Sequence, residues 1–438
     1  MKKLNRRAFS VLLLALFIVL GLFTYLQRFL ESGENWASYF TRLNSLSEGT
    51  ITDRNGVLLA AFTANDNRFN EDRTTRIANY HVTGDFWDRT GTGMLTNFSR
   101  QLHSYSPITG MTQTRRVDMT LNVDAFINNK AYAALAGRNG AVGVMNYRTG
   151  ELICMVSSPA IDPTEPEPKV LDGVYINRLI SAAFVPGSIF KLITAAAAIE
   201  TLTTIWQRTF FCEGEAEVAG VKITCPFEHY TQDFPGALAN SCNIAFSQIA
   251  IMVGQNEMIN HVRAYGFLDP HDLDGIPTAA GTYPLDFVGD PETGWSGIGQ
   301  STDLICPYSM LRYVAAIAND GVLVEPKMVR DGEPPRETLL VNPETAKTMH
   351  RLMRNNVVTV YGDNRFPGLT VCGKTGTAEV GDGTSHAWFT GFLEDDDHPY
   401  AFIVFVERGG GGLSVATPIA NTVLQAAVRR GTEMDFES

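Results

Sequence analysis

AFVPGSIFKLITAAAAIE, residues 183–200, decides how the rest of the chain is read. Pro186-Gly187 breaks the backbone, and the spacing predicts a helix starting at Ser188. From Ile189 to Ile199 nearly every side chain is apolar, on all faces. A helix apolar all round belongs at the centre of a domain. Ser188 and Lys191 are the polar groups of its first turn, and positions three apart share a face. Ser188 alone reads equally as a helix cap. Lys191 argues for chemistry, because a cation opposes the helix dipole there and a capping box wants Glu or Gln. Burial depresses a lysine pKa, and a serine beside a neutral amine is an activated nucleophile.

Two further stretches share this character. Asn240-Ser241-Cys242-Asn243 precedes the apolar run IAFSQIAIMVG, and by itself reads as a cap. Gly373-Lys374-Thr375-Gly376-Thr377-Ala378 lies in a predicted strand, where it reads alone as a solvated edge. Alternation puts Lys374 and Gly376 on one face and Thr375 and Thr377 on the other. Gly376 removes a side chain where a ligand backbone has room to approach.

The chain has 438 residues, 45% apolar and 19% charged, which suits one large globular domain and a smaller one. A net charge of −12 excludes a nucleic-acid partner. Lys2, Lys3, Arg6 and Arg7 precede an apolar or small run from Ala8 to Leu26. That run is long enough to cross a bilayer, and it lacks the cleavage site of the rival reading, a signal peptide. The cations orient the N-terminus to the cytoplasm and the remainder outside.

The expected organisation is a cytoplasmic tail (1–7), a transmembrane helix (8–27), a small extended pedestal module (28–118), a catalytic domain (119–430) and a disordered tail (431–438). Residues 47–60 read as strand, Asp-Arg-Asn-Gly turn, strand. Residues 121–136 read as a helix, 141–147 and 151–158 as strands, 244–254 and 307–319 as helices, 266–300 as loop. Three strands follow (369–380, 386–393, 400–407), then a helix over 415–430. The economical assembly is α+β: a five-stranded antiparallel sheet flanked by helices.

Of six cysteines, Cys212 and Cys225 flank a segment that reads as a hairpin turning near Ala219-Gly220, and they are the expected disulfide if one forms. No Cys/His spacing suggests zinc, so neither metal nor cofactor is expected.

Ser-x-x-Lys, Ser-x-Asn and Lys-Thr-Gly, in that order, resemble the motifs of the class B penicillin-binding proteins. The Asp-Arg-Asn-Gly segment, SSPAIDP, GIGQ (297–300) and AWFTGF extend the likeness over most of the chain. The resemblance implies a membrane-anchored D,D-transpeptidase that cross-links peptidoglycan stem peptides ending in D-Ala-D-Ala and is acylated by β-lactams. It implies Ser188 as nucleophile, Lys191 as neutral base or part of a proton relay, Ser241 as the group that passes a proton to the leaving amine, and Asn243 as the holder of Lys191 and the substrate amide. Lys374 is expected to stay charged, keep Lys191 neutral by repulsion and bind the substrate carboxylate with Thr375 and Thr377. The backbone N–H groups of Ser188 and Thr377 are the implied oxyanion hole. A polytopic glycosyltransferase is the implied partner. A D,D-carboxypeptidase, a β-lactamase or β-lactam sensor, and a catalytically silent scaffold are the alternatives.

Overall fold

The computed structural model describes residues 2–41, 48–62, 67–98, 105–106, 110–111, 116–169, 171–284 and 289–435. Helix α1 (Lys2–Thr41) opens the chain. Its stretch Arg6–Leu30 has a mean hydropathy of 2.6 and buries nothing within the protein, so it is long and apolar enough to cross a membrane. Helix α1 runs on past the apolar stretch without a break as far as Thr41, into the segment expected to be extended, and 42–47 lie outside the described residues.

The segment expected to be extended holds a small sheet. Strands β1 (Glu48–Thr52), β2 (Leu58–Phe62), β3 (Asn67–Phe69) and β4 (Arg116–Thr120) lie in the order β3-β2-β1-β4. β1 and β2 form the hairpin read from the sequence, and β4 joins β1 in parallel. Asp53 explains the tight turn. Its buried carboxylate accepts from the backbone N–H of Asn55 and Val57, each at 2.8 Å, and from Ala125 N–H at 3.0 Å. One side chain thus closes the turn and ties this sheet to the next helix, α2 (Ala125–Leu135), which Asp124 caps. Ile51, Leu59 and Phe62 belong to the same apolar core as the large domain, so this sheet adds to that core. β4 runs through the boundary expected between 118 and 119.

The central sheet contains β5 (Gly140–Asn146), β6 (Leu152–Ser158), β7 (Val371–Glu379), β8 (Ser385–Leu393) and β9 (Tyr400–Val406). Its order is β7-β8-β9-β5-β6, antiparallel throughout. These strands are apolar on both faces because helices cover both. Val142, Val144, Phe402 and Val404 meet α2 and the last helix, α7 (Thr417–Asp435), through Ile127, Leu135, Val423 and Leu424. Ala141, Met145, Ile403 and Phe405 point the other way, into the larger core. That core holds α3 (Lys191–Thr201), α4 (Asn243–Val253), α5 (Pro307–Ala318) and α6 (Pro343–Asn356).

Three expectations need correction. Residues 431–435 continue α7 as helix where a disordered tail was expected, and 436–438 lie outside the described residues. The expected loop 266–300 contains a helix at Gly289–Ser296. All six cysteines are free thiols, so Cys212 and Cys225 are not bridged. The hairpin between them does form, as Glu215–Val218 paired with Val221–Thr224, with Ala219 and Gly220 at φ 51° and 83°. Two left-handed residues match the right-handed twist of a tight hairpin.

Candidate active site

The first motif does not cap its helix. Gly187–Phe190 form a 3₁₀ turn, α3 begins at Lys191, and no side chain caps either. Gly187 sits at φ +54°, and a Cβ on it would lie 2.6 Å from the Thr377 carbonyl oxygen. Only a glycine lets this turn lie so close to β7. Gly376 serves the same contact. A Cβ there would meet Ile189 Cγ2 at 3.0 Å, Trp388 Cβ at 3.1 Å and the Pro186 carbonyl at 3.2 Å. The glycine makes room for the turn that carries Ser188, and the side from which a ligand backbone was expected to approach is filled by Pro186, Ile189 and Trp388. Gly187 N–H donates to the Gly299 carbonyl at 2.9 Å, and Trp388 Nε1 to the Val185 carbonyl at 3.0 Å. The turn is therefore held from both sides.

Alternation along β7 falls as the sequence predicts. Lys374 and Gly376 are buried, Thr375 is half-buried and Thr377 is exposed. Ser241 adopts φ +56°, a left-handed conformation uncommon outside glycine and asparagine. Such a backbone costs about 1–3 kcal/mol and marks functional positions. The cap of α4 is Cys242, whose sulfur accepts from Ala245 N–H, which leaves the Ser241 and Asn243 side chains free to point at Lys191.

The three motifs converge on two amines. Lys191 Nζ lies 2.6 Å from the Ser241 carbonyl, 2.6 Å from Asn243 Oδ1, 3.2 Å from Ser188 Oγ and 3.3 Å from Ser241 Oγ. Asn243 is oriented by its own amide, which donates to the Thr224 carbonyl at 2.8 Å. Lys374 Nζ lies 2.8 Å from Ser241 Oγ and 3.0 Å from the Thr375 carbonyl. Both lysines are completely buried. The Ser241 hydroxyl therefore bridges two amines, and among the described residues no carboxylate is hydrogen-bonded to either.

Burial pushes Lys191 down from the usual lysine value to about 8, against a weaker opposing pull from Cys242 and Cys225. Burial, and then Lys191 itself, pushes Lys374 well down. Desolvation is the largest cause at both amines, and the repulsion expected between them is felt at Lys374.

Beside the amines lies a cleft of about 230 Å³, lined by Ser188, Ser241, Asn243, Thr375 and Thr377. Every site residue expected from the sequence is thus brought together: Ser188, Lys191, Ser241, Asn243 and Lys374 around the amines, Thr375 and Thr377 along one wall, and Gly376 behind it. Sequence reasoning missed Tyr361, whose buried hydroxyl accepts from Thr375 N–H at 3.3 Å, and Thr224, whose carbonyl aims Asn243. Neither sits in a motif, and backbone carbonyls carry no sequence signal. It also missed Trp295 and His229 on the cleft wall, which tertiary folding alone puts there.

Comparison with known proteins agrees with this geometry. Residues 140–425 match the penicillin binding protein transpeptidase domain. Peptidoglycan D,D-transpeptidase PbpA of Mycolicibacterium smegmatis is 29% identical over 334 residues, covering 67% of this chain and 68% of the relative. Stage V sporulation protein D of Bacillus subtilis is 29% identical over 344 residues, covering 70% of this chain and 53% of its own. The crystal structure of PBPA from Mycobacterium tuberculosis superposes with a TM-score of 0.74 at 25% identity, over 87% of this chain and 98% of that one. Its ceftriaxone acyl-enzyme complex shares the fold, with a TM-score of 0.77 at 24% identity. With its five-stranded sheet, its three converging motifs and a family match over most of its length, the chain belongs to the penicillin-binding protein transpeptidase domain family.

Proposed function

We propose that this protein is a serine-type peptidoglycan D,D-transpeptidase with Ser188 as its nucleophile. One observation carries the reading: Ser188 Oγ lies 3.2 Å from a buried amine whose other neighbours are two carbonyl oxygens at 2.6 Å and the Ser241 hydroxyl at 3.3 Å. A neutral amine has two N–H groups and one lone pair. The Ser241 carbonyl and Asn243 Oδ1 take the two N–H groups, and the lone pair is left for the Ser188 hydroxyl.

In this mechanism Ser188 Oγ bonds to the carbonyl carbon of the penultimate D-alanine as its proton passes to Lys191 Nζ. The C–N bond to the terminal D-alanine breaks, and its nitrogen takes a proton through the Ser241 hydroxyl. An amine of a second stem peptide then attacks the ester, the C–O bond breaks, and Ser188 recovers a proton. Thr375 and Thr377 hydroxyls, with Lys374, hold the substrate's terminal carboxylate. The N–H groups of Ser188 and Thr377 receive the oxyanion, about 3 kcal/mol per donor. A β-lactam acylates Ser188 in the same way, but its leaving nitrogen remains tethered. The names of the relatives and the acyl-enzyme complexes of PBPA with ceftriaxone and penicillin G support this chemistry.

Helix α1 serves as the bilayer anchor, with Lys2, Lys3, Arg6 and Arg7 on the cytoplasmic side and the catalytic domain outside. Residues 28–118 form the pedestal, and with the anchor they offer a surface to a polytopic glycosyltransferase. Penicillin labelling followed by peptide mass spectrometry tests the assignment. The adduct is expected on Ser188 and absent from Ser188→Ala. An adduct elsewhere overturns it. A cross-linked dimer from two stem peptides, in place of a hydrolysed one, distinguishes transfer from carboxypeptidase action.

A further inference from the structure

Cys212, Cys225, His229 and Cys242 sit on four separate elements between residues 212 and 242 and come together in space. Their ligand atoms all lie within 4.8 Å of one another. Cys212 ends one strand (Thr209–Cys212), Cys225 follows the hairpin strand Val221–Thr224, His229 precedes the strand Tyr230–Asp233, and Cys242 caps α4. We propose that Cys212, Cys225, His229 and Cys242 form a tetrahedral zinc site that braces the turn carrying Ser241 and Asn243.

The geometry fits the ion. Tetrahedral zinc with bonds of about 2.3 Å to sulfur and about 2.0 Å to nitrogen sets sulfur pairs about 3.8 Å apart and sulfur–nitrogen pairs about 3.5 Å apart. Cys225 and Cys242 sulfurs are 3.8 Å apart, and Cys212 Sγ is 3.3 Å from His229 Nδ1. A disulfide needs about 2.05 Å, so the first pair is spaced for a shared ion and not for a bond. Three cysteines and one histidine are a donor set that closed structural zinc sites use.

A second observation points the same way. Backbone N–H groups converge on the sulfurs: Asn243 N–H donates to Cys225 Sγ at 3.1 Å and Ala245 N–H to Cys242 Sγ at 3.4 Å. Such donors stabilise thiolates and are the usual outer shell of a metal site. Cys225 and His229 are half-buried and His229 lines the cleft, which gives an ion a way in. Binding converts three thiols to thiolates and releases three protons, leaving a site of net charge −1 with neutral His229. Cys242 lies between Ser241 and Asn243, so metal at its sulfur pins the strained Ser241 backbone. The Asn243 N–H bond to Cys225 pins the other end of that turn. The site also explains how three thiols survive in an oxidising compartment.

The full-length protein, purified in detergent without chelators, tests this. Elemental mass spectrometry is expected to find one zinc per chain, and much less in Cys212→Ser. Exchange for cobalt is expected to produce a thiolate-to-cobalt charge-transfer band. This spectrum is taken on the unaltered protein, so a variant that fails to fold does not decide the matter. Zinc-free protein that stays zinc-free on incubation with zinc, and shows no such band with cobalt, overturns the proposal. So does a Cys225–Cys242 disulfide in freshly isolated protein. Removing zinc from the unaltered protein is expected to slow penicillin acylation by about ten- to a hundredfold, reversed by zinc. Unchanged acylation would overturn the bracing role. This last arm rests on Ser188 as nucleophile; metal content and the cobalt band do not, so the two readings fail separately.

Discussion

Lowering the pH should disable acylation well before it unfolds the protein. In the proposed mechanism Ser188 gives its proton to a neutral Lys191, whose pKa burial lowers to about 8. Below that value the neutral fraction falls tenfold per pH unit. The acylation rate constant with a fluorescent penicillin should therefore rise about fiftyfold from about pH 6 to about pH 8, then level off. An exposed lysine titrating near 10.4 would leave about 0.04% of the amine neutral at pH 7, whereas a value of about 8 leaves about 10%. Burial thus raises the supply of base by more than two orders of magnitude, worth about 3 kcal/mol, although a weaker base returns part of this gain. Rapid mixing followed by gel fluorescence measures the rate, with Ser188→Ala as the blank. Lys191→Met should slow acylation by about 10²–10⁴-fold and abolish the pH dependence. A rate that is flat between about pH 6 and 8, or that keeps climbing past about pH 10, would refute the neutral-amine mechanism.

The same depressed pKa makes stability depend on pH. Below about pH 8 both folded and unfolded Lys191 hold the proton and the full burial penalty is present; between about 8 and 10 the unfolded chain binds more protons and stability should rise, by up to about 3 kcal/mol, in denaturant titrations. Buried tyrosines such as Tyr313, pushed well up by desolvation, reverse the trend above about pH 10, where unfolded phenols lose the protons that folded ones keep. Asp53→Ala strands the N–H groups of Asn55, Val57 and Ala125; a loss of about 2–4 kcal/mol is expected by denaturant titration, and an unchanged midpoint would contradict the bracing role. Gly376→Ala inserts a methyl group 3.0 Å from Ile189 Cγ2, so acylation should fall at least about tenfold as β7 moves off the nucleophile's turn, with unaltered acylation as the contrary result.

Much of this protein is legible without a structure because the signals are local. Short apolar runs bounded by turn residues expose most of β5 to β9, an all-apolar run exposes α3, and four cations before an apolar span mark α1. Ser188 and Lys191 could be paired by helical spacing alone, and the three motifs were identified one by one. What the sequence left open was decided by contacts between distant segments. Lys374 and Ser241 are 133 residues apart, and only the antiparallel sheet and α4 bring their side chains to 2.8 Å. How strongly burial disfavours the charge on Lys374 could not be read, because desolvation depends on everything packed around a group, which no local pattern records. The role of Gly376 was misread for the same reason: the atoms it makes room for come from the turn at residues 186–189. The cysteine cluster gathers strand ends and a helix cap across residues 212–242, a grouping that appears only once the hairpin has folded back onto α4. Backbone periodicity is written by neighbours in the chain. The amines' charge and the grouping of sulfurs depend on neighbours in space, and these exist only after folding.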